Sequence, residues 1–306
     1  METKKTDLKR VLVYIVITFA LTWLYAIFLI YPIANGEALN GIPAMATQLA
    51  VAAAMFFPGI SVLLTRLITR EGFKNAWMRP HIKGNIKTYL LAWFGPAVLT
   101  FAGMGIYFLL FPGNLDLSFG YMKAMMAAAG TPYEAQAVPM DLLMTIQCVQ
   151  AVFLAPVLNF VTCFGEEWGW RGYLLPKVSK HFSTIPTLLI TGIVWGLWHA
   201  PLTIIGHNYG LGYWGFPFTG IAMMCVFCTV LGIFLSYITL KTGSCIPAIL
   251  GHGAINGIAA IGMYFTYDGG NPFVGPAPTC VIGIIPFVIA AIPMVLYLKG
   301  YEHRAN

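Results

Sequence analysis

Charge is what this sequence has least of. Only 9% of its 306 residues are Asp, Glu, Lys or Arg, while 58% are hydrophobic, and a soluble domain is nearer a quarter charged. A water-soluble core cannot absorb that much apolar surface. Also missing are a Ser/Pro-rich linker, a charge block, a shift of composition, an internal repeat and a low-complexity tract. The expectation is therefore a single transmembrane domain over residues 1–306. Paired cysteine spacing in polar loops is absent too. All six cysteines lie in or beside apolar runs and read as small buried residues. Cys225 and Cys228 form a C-x-x-C, but it falls mid-span without a second pair, which argues against a zinc or redox site.

What is present is a succession of long apolar runs. Stretches of roughly twenty residues, enough to cross ~30 Å of hydrocarbon as helix, occur near 11–33, 44–66, 88–111, 142–171, 186–206, 214–240, 244–266 and 278–298. The predicted fold class is all-α: a polytopic integral membrane protein with about eight transmembrane helices. The basic start resembles a signal peptide, but the first run continues to about Ile33 without a small-residue cleavage site, so it reads as a retained span.

Positive charge tests the count independently, because short cytoplasmic loops collect Lys and Arg. With eight spans and both termini cytoplasmic, sixteen of the seventeen cations fall on one side, Lys123 alone lying opposite. That bias accounts for the formal charge of +6 without a nucleic-acid partner. The outer loop 112–140 has a Met/Ala-rich piece around Tyr121–Ala129 suited to the interface.

Ionisable side chains inside spans cost several kcal/mol, so each is a candidate for function. One group is Glu166-Glu167-Trp168-Gly169-Trp170-Arg171. Glu167 and Arg171 are four apart with the acid first, the favourable order for a helical ion pair. Glu166 is turned about 100° away and points a free carboxyl elsewhere. A second group ends span five as Trp195-Gly196-Leu197-Trp198-His199. In the third, His252 and Asn256 share a helical face and both can donate to one point. His81, His207 and His303 read as solvated, and Gln147, Gln150 and Asn159 as packing contacts. If span four ends near Gly172, Glu166 lies ~9 Å below the cytoplasmic boundary and His199, counted from Thr187, ~18 Å, a mismatch of about one and a half turns.

E-E-x-x-x-R, then an aromatic-x-x-x-H, then H-x-x-x-N on a later span, resemble the CPBP intramembrane protease family, also called the Abi or CAAX-protease family. The resemblance runs from Glu166 to Asn256 and defines a catalytic core over 142–266. Trp195 stands where the family more often has phenylalanine, and spans one to three add nothing recognisable. The resemblance implies a glutamate-dependent endopeptidase, an EC 3.4 class hydrolase, acting on a membrane-associated substrate, with a prenylated CAAX type among the candidates. Glu166 would be general base for water, His199 would assist that water, and His252 with Asn256 would steady the oxyanion, with Glu167 and Arg171 in support. The implied site holds no cofactor. The alternative, zinc held by Glu166, His199 and His252, has the two-His, one-carboxylate chemistry of catalytic zinc but no H-E-x-x-H. Two other readings stay open: a non-catalytic immunity or scaffold protein of the same fold, and a proton-coupled transporter. The expected surroundings are the bilayer, as a multi-pass protein of the plasma membrane.

Overall fold

The computed structural model describes residues 2–36 and 43–305. Among the described residues every regular element is helical. The principal helices are α1 (Glu2–Tyr25), α2 (Pro43–Ala54), α3 (Phe57–Ile68), α4 (Ile86–Leu110), α5 (Gly120–Ala128), α6 (Met140–Phe153), α7 (Phe160–Gly169), α8 (Thr184–Trp198), α9 (Phe218–Thr242), α10 (Ile246–Ile258) and α11 (Ile285–Ala305). Five helical stretches are long and apolar enough to cross a membrane: Lys5–Ala34, Ala46–Ile68, Ile86–Leu110, Phe218–Thr242 and Ile246–Tyr264. The other three expected spans coincide with shorter apolar helices, Met140–Phe153, Thr184–Trp198 and Ile285–Gly300. Leu, Ile, Phe and Val stand exposed along the outside of the bundle, the pattern of a surface solvated by lipid rather than water.

Span four departs most from expectation. It is interrupted at Leu154, just before Pro156, and again at Asn159. A proline has no N–H to continue the ladder and its ring crowds the preceding turn, so the chain steps sideways there. It then continues past Gly172 through a π-turn, Trp170–Leu174, and a last turn, Leu175–Val178. Counting back from Val178 puts Glu166 at a depth of ~18 Å. Counted likewise from Thr184, where α8 starts, His199 lies ~22 Å in, so most of the mismatch came from ending span four too early.

Glycine sets a close crossing beside the acid pair. A methyl group on Gly59 of α3 would meet the Gly165 carbonyl oxygen at 2.9 Å, and one on Gly165 would meet that of Met55 at 2.6 Å. The α3 and α7 backbones thus touch one residue before Glu166, which buries the acid pair. Asn159 fastens the other side, its amide donating to the Gly253 carbonyl of α10 at 3.1 Å.

At the basic end, the segment after α3 is strapped down. Trp168 Nε1 donates to Ala76 O, the Cys245 amide to Trp77 O, and His81 Nδ1 to Thr242 O. His81 is exposed, as expected, yet it ties two segments together. His207 is half-buried rather than solvated, and the His303 side chain lies outside the described residues. In the loop after α4, Asp116 receives Ser118 and Gly120. Burial pushes its carboxyl up, but those donors outweigh burial and hold it below its ordinary value. Helix α5 follows, covering the Met/Ala-rich piece.

Candidate active site

Glu166, Glu167, Arg171 and His252 are only 2%, 0%, 3% and 4% exposed, so their charges must be met by one another. Glu167 Oε1 accepts from Arg171 at 2.8 Å, the pair that the spacing of four predicts. The same oxygen accepts from His252 Nδ1 at 2.8 Å. Glu167 is therefore more than a helix-end tether, since it also sets the orientation of the α10 histidine. Its second oxygen, Oε2, and the hydroxyl of Tyr14 are buried without a hydrogen-bond partner.

Glu166 is not free. Its Oε2 accepts two indole N–H groups, from Trp170 at 3.2 Å and from Trp195 at 2.8 Å. Trp170 is four residues on, so the periodicity that revealed the Glu167–Arg171 pair also placed this one. Trp195 comes from α8 and could be found only in three dimensions. Its ring lies 4.2 Å from the Arg171 guanidinium, packs edge-on to His252 at 5.3 Å and sits 5.9 Å from His199. Exchange with phenylalanine would therefore not be neutral, since it removes a donor from Glu166.

His199, half-buried, directs Nδ1 to the Trp195 carbonyl at 2.8 Å. A carbonyl only accepts, so Nδ1 carries the hydrogen and Nε2 of the neutral ring keeps its lone pair. His252, with Nδ1–H given to a carboxylate, donates from Nε2 only when its ring is protonated. The two imidazoles are thus set up differently, one to accept and one to switch.

Asn256 does not join His252 at one point. It is exposed, and its amide approaches Cys163 Sγ at 3.6 Å. Cys228 of the C-x-x-C does have a histidine neighbour, His199 Nδ1 at 3.7 Å. Helix α1 backs the site from behind, Trp198 Nε1 donating to Thr22 Oγ1 at 2.7 Å and Tyr14 packing edge-on to Trp170 at 5.9 Å. Span one therefore contributes to the site despite its featureless sequence. No group of three His, Cys, Asp or Glu among the described residues is arranged to hold a metal ion.

Fold and composition define an integral membrane protein with paired acids, an arginine and two histidines gathered inside the helical bundle. Residues 148–258, from within α6 to the end of α10, match the model of a family described as type II CAAX prenyl endopeptidase Rce1-like. A 44-residue stretch is 39% identical to CAAX prenyl protease 2 of Methanococcus maripaludis, covering 14% of this chain and 16% of that relative. The resemblance drawn from the three motifs holds over this segment.

Proposed function

We propose that this protein is an intramembrane endopeptidase, with eight membrane segments and both termini cytoplasmic, that hydrolyses a peptide bond of a membrane-associated substrate. The observation that carries the reading is the buried Glu166 carboxylate. It is positioned by two indole N–H groups on one oxygen, which leaves Oε1 to take a proton from water. His199, whose Nε2 keeps its lone pair while Nδ1 serves the Trp195 carbonyl, orients the attacking water. His252, protonated against Glu167, offers Nε2–H to the oxyanion, and low dielectric strengthens that bond. Asn256 serves the same oxyanion only after its side chain leaves Cys163. Arg171 fixes Glu167 and, through its stacking, Trp195.

This mechanism needs no metal. The similarity to prenyl endopeptidases supports a lipidated CAAX-type substrate presented from the cytoplasmic side, in keeping with a plasma-membrane protein. The test offers prenylated and unmodified membrane-anchored peptides to purified wild type and to Glu166→Gln. Wild type should cleave and the variant should not; equal cleavage by both would remove Glu166 as base. Chelator should leave activity intact, and loss restored by stoichiometric zinc would overturn the metal-free reading.

A further inference from the structure

Away from the site, the basic end of the bundle holds a cavity of about 1640 Å³ between the start of α1, the end of α3, the strapped segment and the last turn of span four. Six cations line it: Arg10, Arg66, Lys74, Arg79, Lys177 and Lys180. Only two carboxylates, Asp7 and Glu71, answer them. Both acids are spent on lysine, Lys177 holding Glu71 at 2.6 Å and Asp7 at 3.0 Å, and Lys180 holding Asp7 at 3.1 Å.

Arg66 gives Nη1 to the Gly72 carbonyl at 2.6 Å and to that of Lys74 at 3.4 Å, but neither it nor Arg10 has a close carboxylate. Arg10 stands 3.6 and 3.7 Å from the two acids, and Arg66 is 3.8 Å from Glu71. The Nε atoms of both are buried without a hydrogen bond. Arg66, 3% exposed, is inside the wall rather than on a solvated face. Lys74 and Arg79 are exposed, and no described carboxylate pairs with either. Beside them the wall is apolar: Phe73, Trp77 and Met78 line the same cavity, with Phe73 and Met78 exposed.

We propose that this cavity binds a phosphate-bearing anion, supplied by the headgroup of an anionic phospholipid. Phosphate presents several acceptor oxygens to guanidinium and ammonium donors at once. A lipid adds an apolar portion for Phe73, Trp77 and Met78, at the depth where cation clusters meet anionic leaflets. The site is separate from the peptidase reading and stands or falls without it.

The experiment measures binding to the purified full chain at physiological salt. Its probes, added to the protein in detergent, are pyrophosphate and mixed micelles carrying phosphatidylcholine with or without phosphatidic acid. Lys74→Glu with Arg79→Glu should weaken binding of phosphatidic acid at least about tenfold, whereas Lys299→Glu, a cation outside the cavity, should change it less than about twofold. If the double variant does not fold, Arg79→Gln alone should still weaken binding about threefold. Pyrophosphate competing with phosphatidic acid supports the phosphate site. Pyrophosphate binding with indifference to lipid composition supports the same chemistry from a soluble source. Equal loss in Lys299→Glu, or equally tight binding of a phosphate-free polyglutamate peptide, would overturn it.

Discussion

The two charged regions of this protein lie along one helical path and are built on opposite terms. Around Glu166 and Glu167 two carboxylates face Arg171 and the His252 imidazole, a matched set when that ring carries its second proton. Around Glu71 and Asp7 six cations share two acids. The difference follows from what surrounds each. In the bundle interior an unpaired charge has no water to turn to, so only matched sets persist. At the open end, water and counter-ions tolerate a surplus, and that surplus is available to a ligand.

The comparison breaks first at chemistry. Glu166→Gln keeps the shape and both indole contacts within reach but removes the proposed base, so cleavage of a membrane-anchored peptide should fall by ~10²–10⁴-fold while thermal unfolding in detergent barely moves. Next is the matched charge itself. Arg171→Ala removes the one permanent cation and leaves Glu167 only His252, which should cost about 3–5 kcal/mol, read as a large drop in unfolding temperature that added salt does not alter. Trp195→Phe keeps a ring under Arg171 but removes one donor from Glu166; kcat/KM should fall by ~10–100-fold, the scale of one hydrogen bond to a charged group.

The open end should respond more weakly and to different variables. For Glu71, burial pushes the carboxyl up, but hydrogen bonds from Lys177 and Tyr173 and the charges of Lys177 and Arg66 outweigh it and hold the group below its ordinary 4.5. Its contribution is then fully present above about pH 4.5 and is lost as pH falls through the lower folded value. Glu71→Gln should therefore flatten the acid side of the stability profile, measured by unfolding temperature against pH. An unchanged acid limb would show that Glu71 is not part of it. Smallest of all, Lys180→Ala should shift stability by only about 0–1 kcal/mol, because Lys180 is 60% exposed and water screens its pair with Asp7.

Much of the site was legible because helical periodicity is local. Glu167 and Arg171 meet since four residues nearly complete a turn, and Glu166 and Trp170 obey the same rule although only the charged pair drew attention. For His252 and Asn256 the shared face left the partners open, and tertiary packing gives His252 Nδ1 to Glu167 and the Asn256 amide to Cys163. Trp195 was hidden because its partner lies on another helix. Tyr14 and Thr22 were hidden by an otherwise uniform apolar run.

The sequence by itself determined that the chain is helical and belongs in a bilayer, because hydrocarbon admits only backbone that satisfies its own hydrogen bonds and apolar runs of sufficient length declare themselves. It also singled out the rare ionisable residues, since each is costly enough there to stand out. Only the tertiary structure decided which of them touch. Contacts among α1, α7, α8 and α10 depend on where proline steps the chain and where glycine lets backbones meet, and neither leaves a periodic trace in the sequence.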